Sequence, residues 1–234
     1  TSPDGNFLYI LNHDSNSVTV IKDAFTSPAF LTTINVGINP YSIKFTPDGN
    51  YAYIYCCGSS PASISVIKNA NTTAPSLINS LNVNAVTPAY LNKAIMQITP
   101  DGKYLYVGNA NMGITTTTVF KDMSTDNPTF LKTINTGTNS NAIIMSQDGK
   151  LAYVCNTQYG ISLIKNIDTD YPIAVTGLNF TQNPPVFLYC TLNKSYILYN
   201  IAGDKIEISS LSKMLNTNFA KTEFLYNGSE WLSY

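Results

Sequence analysis

One phrase, returning at a near-constant interval, limits what this chain can fold into more than any other feature. TSPDGNFLYILN at 1–12, FTPDGNYAYIYC at 45–56, ITPDGKYLYVGN at 98–109 and MSQDGKLAYVCN at 145–156 are four copies of it, and CTLNKSYILYN at 190–200 is a weaker fifth. The marker residues Asp4, Asp48, Asp101, Asp148 and Asn193 are 44, 53, 47 and 45 positions apart. A repeat of this length is one supersecondary unit that cannot bury its own apolar faces, so neighbouring units must stack to form a core.

Within a copy, four short segments carry strand chemistry, rich in Val, Ile, Thr, Tyr and Phe and bounded by Gly, Pro, Asn and Asp. In the second copy they are YSIKF, YAYIY, SISVI and LINSL; in the third, KAIMQI, KYLYVG, TTTTVF and FLKTIN. No segment sustains a 3.6-residue period, and only SLSKMLNT at 210–217 reads as a short helix. Four antiparallel strands per 40–50 residues is the pattern of a propeller blade. The expected fold is therefore all-β, a five-bladed β-propeller forming one domain over 1–234. Its repeats lie near 1–40, 41–91, 92–139, 140–183 and 184–229. The first copy lacks the strand that precedes the turn in the others. Residues 230–234, EWLSY, fit in front of Thr1 at a wrapped spacing of 45, so they are expected to close the ring as the innermost strand of the first blade. Closure would remove an open sheet edge.

Charge separates the candidate functions. Charged residues make up 12% of the chain against about 25% in ordinary soluble domains. All 13 basic residues are lysine, and with 14 acidic residues the net charge is -1. Nucleic-acid recognition draws on basic surface and on the guanidinium fork, and is not expected. No apolar run reaches the 18 residues of a membrane span. A weakly charged surface also suits packing into a larger assembly.

The phrase with its V-x-V-I strand resembles the YVTN-type β-propeller repeat, which is related to the lactonase-like propellers. Pro47-Asp48-Gly49 with Tyr51 and Tyr53 carries the likeness. So do Pro100-Asp101-Gly102 with Tyr104, Tyr106 and Asn109, the strands VTVI and ISVI at 18–21 and 64–67, and INVG and INTG at 34–37 and 134–137. The resemblance covers essentially the whole chain and implies a propeller. It also implies binding or scaffolding roles and a secreted or cell-surface setting. For the lactonase-like branch it implies Arg, His and Glu in the central funnel, a set this chain cannot supply, having no arginine and only Glu207, Glu223 and Glu230.

Two readings meet at each candidate residue. The repeated Asp of PDG suits a tight turn better than acid–base or metal chemistry, because Pro presets φ, Asp bonds its own backbone and Gly takes the left-handed position. Opposite those turns a loop face gathers His13, Asp14, Asn39, Tyr41, Tyr90, Asn92, Asn109, Asn111, Asn141, Asn156 and Tyr159. It is nearly uncharged and suited to hydrogen bonding and stacking against a protein or a glycan. The same Asn and Gly residues also serve turns. His13 is the only histidine; a nucleophile–His–acid triad would need it, and a three-histidine metal site is impossible. Cys56, Cys57, Cys155 and Cys190 match neither a zinc nor a redox pattern and are read as buried thiols outside disulfides, which points toward a reducing compartment. The expected function is a non-enzymatic interaction module without cofactor or metal, the alternative a lactonase-like hydrolase or lyase with its site in the funnel. The register of the ends predicts that deleting the last six residues lowers the thermal unfolding midpoint of the whole ring; an unchanged midpoint would remove closure by that segment.

Overall fold

The computed structural model describes residues 1–59, 61–83, 95–108, 116–137, 140–146, 148–156, 160–175, 186–190, 196–200, 224–226 and 231–233. Each of the four PDG or QDG turns is built the same way. The hydroxyl of the preceding Ser or Thr donates to the Asp carboxylate at 2.5–2.6 Å (Ser2–Asp4, Thr46–Asp48, Thr99–Asp101, Ser146–Asp148). The same oxygen accepts the backbone N–H five residues on, and the carboxylate accepts the N–H two residues on. Gly5, Gly49, Gly102 and Gly149 sit at φ 71–78°, where a Cβ is strained. The repeated aspartates are thus consumed by turn geometry, as their sequence context implies.

From these turns run antiparallel sheets. The first holds β1 (Phe7–Asn12), β2 (Ser17–Lys22) and β3 (Ala29–Asn35). The second holds β4 (Pro40–Phe45), β5 (Tyr51–Cys56), β6 (Ser63–Lys68) and β7 (Ser76–Asn82). The third holds β8 (Ile95–Ile98), β9 (Tyr104–Gly108), β10 (Thr116–Lys121) and β11 (Thr129–Asn135). The fourth holds β12 (Ser140–Met145), β13 (Leu151–Asn156), β14 (Gly160–Lys165) and β15 (Ile173–Val175). Two further pairs follow, β16 (Val186–Cys190) with β17 (Tyr196–Asn200) and β18 (Phe224–Tyr226) with β19 (Trp231–Ser233). The described residues contain no helix; segment 210–217 lies outside them. The chain is all-β, and each of three units makes a four-stranded sheet in sequence order. β19 pairs with β18, and the first sheet holds three strands among the described residues.

The first strands of successive sheets, β4, β8 and β12, lie side by side at the centre, and the sheets stack face to face around them. A sheet between two others is apolar on both faces, which is why every residue of YAYIYC in β5 is buried. Tyr51, Tyr53 and Tyr55 face the third sheet with Met96, Leu105 and Val107, while Ala52, Ile54 and Cys56 face the first with Phe7, Tyr9 and Val18. Tyr104, Tyr106 and Val119 meet Ile143, Ala152 and Val154 of the fourth sheet. Among the described residues the first sheet is covered on one side only. Ile10, at the position of Ile54, is 43% exposed where Ile54 is 0%. The outer strands β3, β7 and β11 each carry one extra residue, Leu31, Ile78 and Leu131, opposite β2, β6 and β10. A bulge at the rim spoils edge-to-edge pairing.

Three contacts recur between neighbouring sheets. A buried tyrosine of one sheet donates its hydroxyl to a backbone carbonyl of the next: Tyr9 to Ala70 (2.9 Å), Tyr53 to Met123 and Tyr106 to Ile167 (3.1 Å). On the turn face, Pro3, Pro47 and Pro100 press on Gly49, Gly102 and Gly149 of the following turn; a Cβ on Gly102 would stand 3.0 Å from Pro47 Cδ. Farther out, Asp126 accepts from Tyr51 (2.6 Å) and Lys68 (2.7 Å), and Asp170 accepts from Tyr104 and Lys121 (both 2.9 Å). At the first junction Thr73 stands where Asp126 and Asp170 do, and Phe7 where Tyr51 does, so that clamp is missing.

Burial, and then the aspartate, pushes Tyr51 and Tyr104 up to about 12. Asp126 and Asp170 are held below their ordinary 3.8 by the lysine first and the tyrosine second. Carboxyls with depressed folded values take up protons more readily unfolded, so the clamps contribute fully above about pH 4 and fail as pH drops through the depressed values. Urea midpoints measured from pH 5 down to 2.5 should fall, and Asp126→Asn with Asp170→Asn should flatten that fall; an unchanged slope would show that other carboxyls dominate. Tyr53→Phe leaves the Met123 carbonyl buried without its donor, and equilibrium unfolding should register a loss of about 1–3 kcal/mol.

Candidate functional site

The strand directions put the β1–β2 and β5–β6 loops and the sheet-to-sheet connections on the face opposite the PDG turns. There the first two units are tied together by backbone and asparagine groups. Asn16, at φ 54°, accepts the N–H of Val36 at its carbonyl (2.9 Å) and the N–H of Asn39 at Oδ1 (2.9 Å). Asn39, at φ 53°, accepts from the Cys57 N–H (3.1 Å) and thiol (3.3 Å). Gly37 N–H donates to Ser65 Oγ (3.0 Å) and Gly58 N–H to the Ile38 carbonyl (2.9 Å). Asparagine recurs here because its short amide tolerates the left-handed region while bridging strands. At Asn39, then, the turn role is observed directly.

Two sequence-nominated residues share a feature that alternation alone cannot show. Pro40 pairs with Cys56 and Ser42 with Tyr55, leaving Tyr41 as an extra residue in β4; Ser140 pairs with Asn156 and Ala142 with Cys155, leaving Asn141 extra in β12. The inner strands β4 and β12 are therefore bulged at their loop-face ends. Bulges re-aim residues out of the ladder and are frequent beside active sites. Tyr41 is exposed there. Asn156 ends β13, its backbone paired with Ser140 on one side and Gly160 on the other.

His13 and Asp14 occupy the β1–β2 loop. His13 Nδ1 lies 2.6 Å from Asp14 Oδ1, with the aspartate almost wholly exposed and the imidazole 42% exposed. An Nδ1–H donated to the carboxylate leaves Nε2 as the basic nitrogen, the arrangement a general base requires. Asn16, two residues on, joins this loop to residues 36–39. The structure thus gathers His13, Asp14, Asn39 and Tyr41 on one face, with the backbones of Asn141 and Asn156 at corresponding places in the fourth unit. Tyr90, Asn92, Asn109, Asn111 and Tyr159 lie outside the described residues. Cys56, Cys57 and Cys155 form no disulfide; burial raises the Cys56 and Cys57 thiols. Among the described residues no cluster of three or more His, Cys, Asp or Glu is placed to hold a metal ion, and no helix is long and apolar enough to cross a membrane.

No protein-family model and no curated protein matches the chain. Solved structures do. A functionally unknown protein from Desulfotomaculum acetoxidans superposes with a TM-score of 0.71 at 14% identity, covering 100% of this chain and 67% of that one. The periplasmic gluconolactonase of Pseudomonas aeruginosa gives 0.62 at 13% identity, over 99% of this chain and 69% of that one. A candidate 6-phosphogluconolactonase from Bacteroides uniformis gives 0.63 at 17%, over 75% and 52%. The chain thus spans from about half to about two thirds of the length of these proteins. Identities this low establish the fold alone, a β-propeller. They also correct the expected function: a non-enzymatic module binding a protein or glycan does not stand where the matching propellers include enzymes. The inference failed because a propeller assembles its site from loops far apart in sequence, so the want of a compact catalytic motif carries no weight against catalysis.

Proposed function

We propose that the chain is a lactonase-like hydrolase acting on a small cyclic ester, with its site where the loop face meets the centre of the propeller. The observation that carries this reading is the near-complete superposition on a gluconolactonase. The oriented His13–Asp14 pair and the bulges at Tyr41 and Asn141 support it. In the proposed step Nε2 of His13 takes a proton from water as the water oxygen adds to the lactone carbonyl. Collapse of the tetrahedral adduct breaks the ring C–O bond, the departing oxygen recovers the proton, and the product is the open hydroxy acid. Asp14 keeps the imidazole in the required tautomer and stabilises the transient imidazolium. Without arginine in the chain, the rim's neutral groups are the ones offered to the developing oxyanion, Tyr41 and Asn39 among them. This centre therefore differs from the Arg, His and Glu set that the resemblance implies.

The architecture that goes with this reading is a single domain over 1–234 with five blades. The fifth phrase supports the count, its Asn193 falling between the paired strands β16 and β17. Closure by residues 230–234 would lay that strand along the edge of β1 that has no partner. The deciding assay follows proton release from glucono-δ-lactone above the spontaneous rate. His13→Ala should lower the catalysed rate about 10²–10⁴-fold with the unfolding midpoint unchanged. Turnover that survives His13→Ala would transfer the base to another residue, and no turnover with any of a panel of five- and six-membered lactones would overturn the reading.

A further inference from the structure

The loop that carries His13 and Asp14 is tied to the next unit by one side chain, at a position where the second unit has alanine. Asn16 immediately precedes β2 as Ala62 immediately precedes β6. Each gives its backbone carbonyl to the first residue past the outer strand: the Val36 N–H reaches Asn16 at 2.9 Å, and the Val83 N–H reaches Ala62 at 2.8 Å. This bond needs no side chain, since alanine serves it. The Asn16 carboxamide makes a further one, its Oδ1 accepting the N–H of Asn39 at 2.9 Å.

Backbone geometry does not call for the carboxamide either. Asn16 stands at φ 54°, a value that glycine adopts freely. What its Oδ1 holds is the bend leading into β4. Asn39 is gripped from both sides, its N–H by Asn16 and its carbonyl by the Cys57 N–H (3.1 Å) and thiol (3.3 Å). Two residues farther on stands Tyr41, the extra residue of the β4 bulge. At the near end of the loop the Asn12 side chain donates to Ser17 Oγ (3.1 Å) and Thr19 Oγ1 (2.9 Å). The segment 13–16 is thus pinned at both ends, and its second pin is shared with the bend bearing Asn39 and Tyr41.

We propose that Asn16 is a positioning residue of the loop-face site: its Oδ1 fixes the His13–Asp14 pair of the first unit relative to the Asn39–Tyr41 bend that opens the second. A base on one unit and polar groups on the next can then meet the same substrate. The kinetic consequence rests on the hydrolase reading; the structural one rests on the hydrogen bond alone. A displacement of about 1 Å between reacting groups can cost about 10²-fold in rate.

Two variants test this. Asn16→Gly keeps the left-handed backbone and removes the carboxamide, whereas Asn16→Asp keeps an acceptor oxygen. Amide hydrogen exchange should show the Asn39 N–H about fivefold faster in the glycine variant and restored in the aspartate variant. The Val36 N–H, bonded to the backbone carbonyl of residue 16, should keep its rate in both. His13 is the only histidine, so its ring-proton NMR signals are unambiguous, and they should move in Asn16→Gly. With a lactone that the unsubstituted chain turns over, kcat should fall about 10–100-fold in the glycine variant, KM staying within about twofold, and should recover in the aspartate variant. An Asn39 N–H as protected in Asn16→Gly as in the unsubstituted chain, unmoved His13 signals, or an undiminished kcat would each overturn the proposal. An unsubstituted chain that turns over no lactone would overturn the hydrolase reading instead, and exchange and ring signals would then decide the role of Asn16 by themselves.

Discussion

A tyrosine hydroxyl buried between two sheets can be accommodated only if it finds an acceptor, and here the acceptor belongs to the neighbouring unit. Tyr9, Tyr53 and Tyr106 each cross to the carbonyl of Ala70, Met123 or Ile167, the residue where the next sheet's third strand turns outward. That requirement fixes how far one sheet is rotated and slid against the next, because an unmet buried hydroxyl and carbonyl would together cost more than most packing errors. The proline-on-glycine contact sets the same spacing at the turn face, and the Asp126 and Asp170 clamps set it farther out. The loop face is held by none of these. It is positioned by the inner strands that lead into it and, between the first two units, by the hydrogen bonds of Asn16, Gly37 and Asn39.

The parts of the fold visible in the amino-acid sequence are those written in local chemistry. Ser/Thr-x-Asp-Gly announces its turn because hydroxyl, carboxylate and left-handed glycine lie within five residues of one another. YAYIYC announces a strand covered on both faces because it has no polar alternate. The bulges at Tyr41 and Asn141 were hidden, since a bulge is decided by the partner strand's register and not by the strand's own residues. The clamps were hidden for a similar reason: Asp126 and Asp170 look like ordinary hairpin residues until the preceding sheet brings Tyr51 and Lys68, or Tyr104 and Lys121, beside them. Residues 230–234 match the register of a closing strand, and Trp231–Ser233 pairs with Phe224–Tyr226.

The proposed function was less legible than the fold because the candidate residues and the repeated turns lie on opposite faces. Conspicuous repetition lies on the turn face, where four aspartates invite a chemical interpretation and serve geometry. The loop face, where His13 and Asp14 form the oriented pair, shows no repetition, and a single histidine in a polar loop gives little signal by itself.

The hydroxyl staples all point the same way along the chain, from each sheet to its successor, and this gives the array a direction. The second, third and fourth sheets each receive a hydroxyl from the sheet before, whereas Ala24, the matching position of the first, receives none from a described tyrosine. Its junction with the second sheet also lacks the aspartate clamp. In an array held by nearest-neighbour contacts, stability is not shared evenly among units. Of the four described sheets the first is therefore the one tied to its successor by the fewest of these contacts, and the loop bearing His13 rides on it.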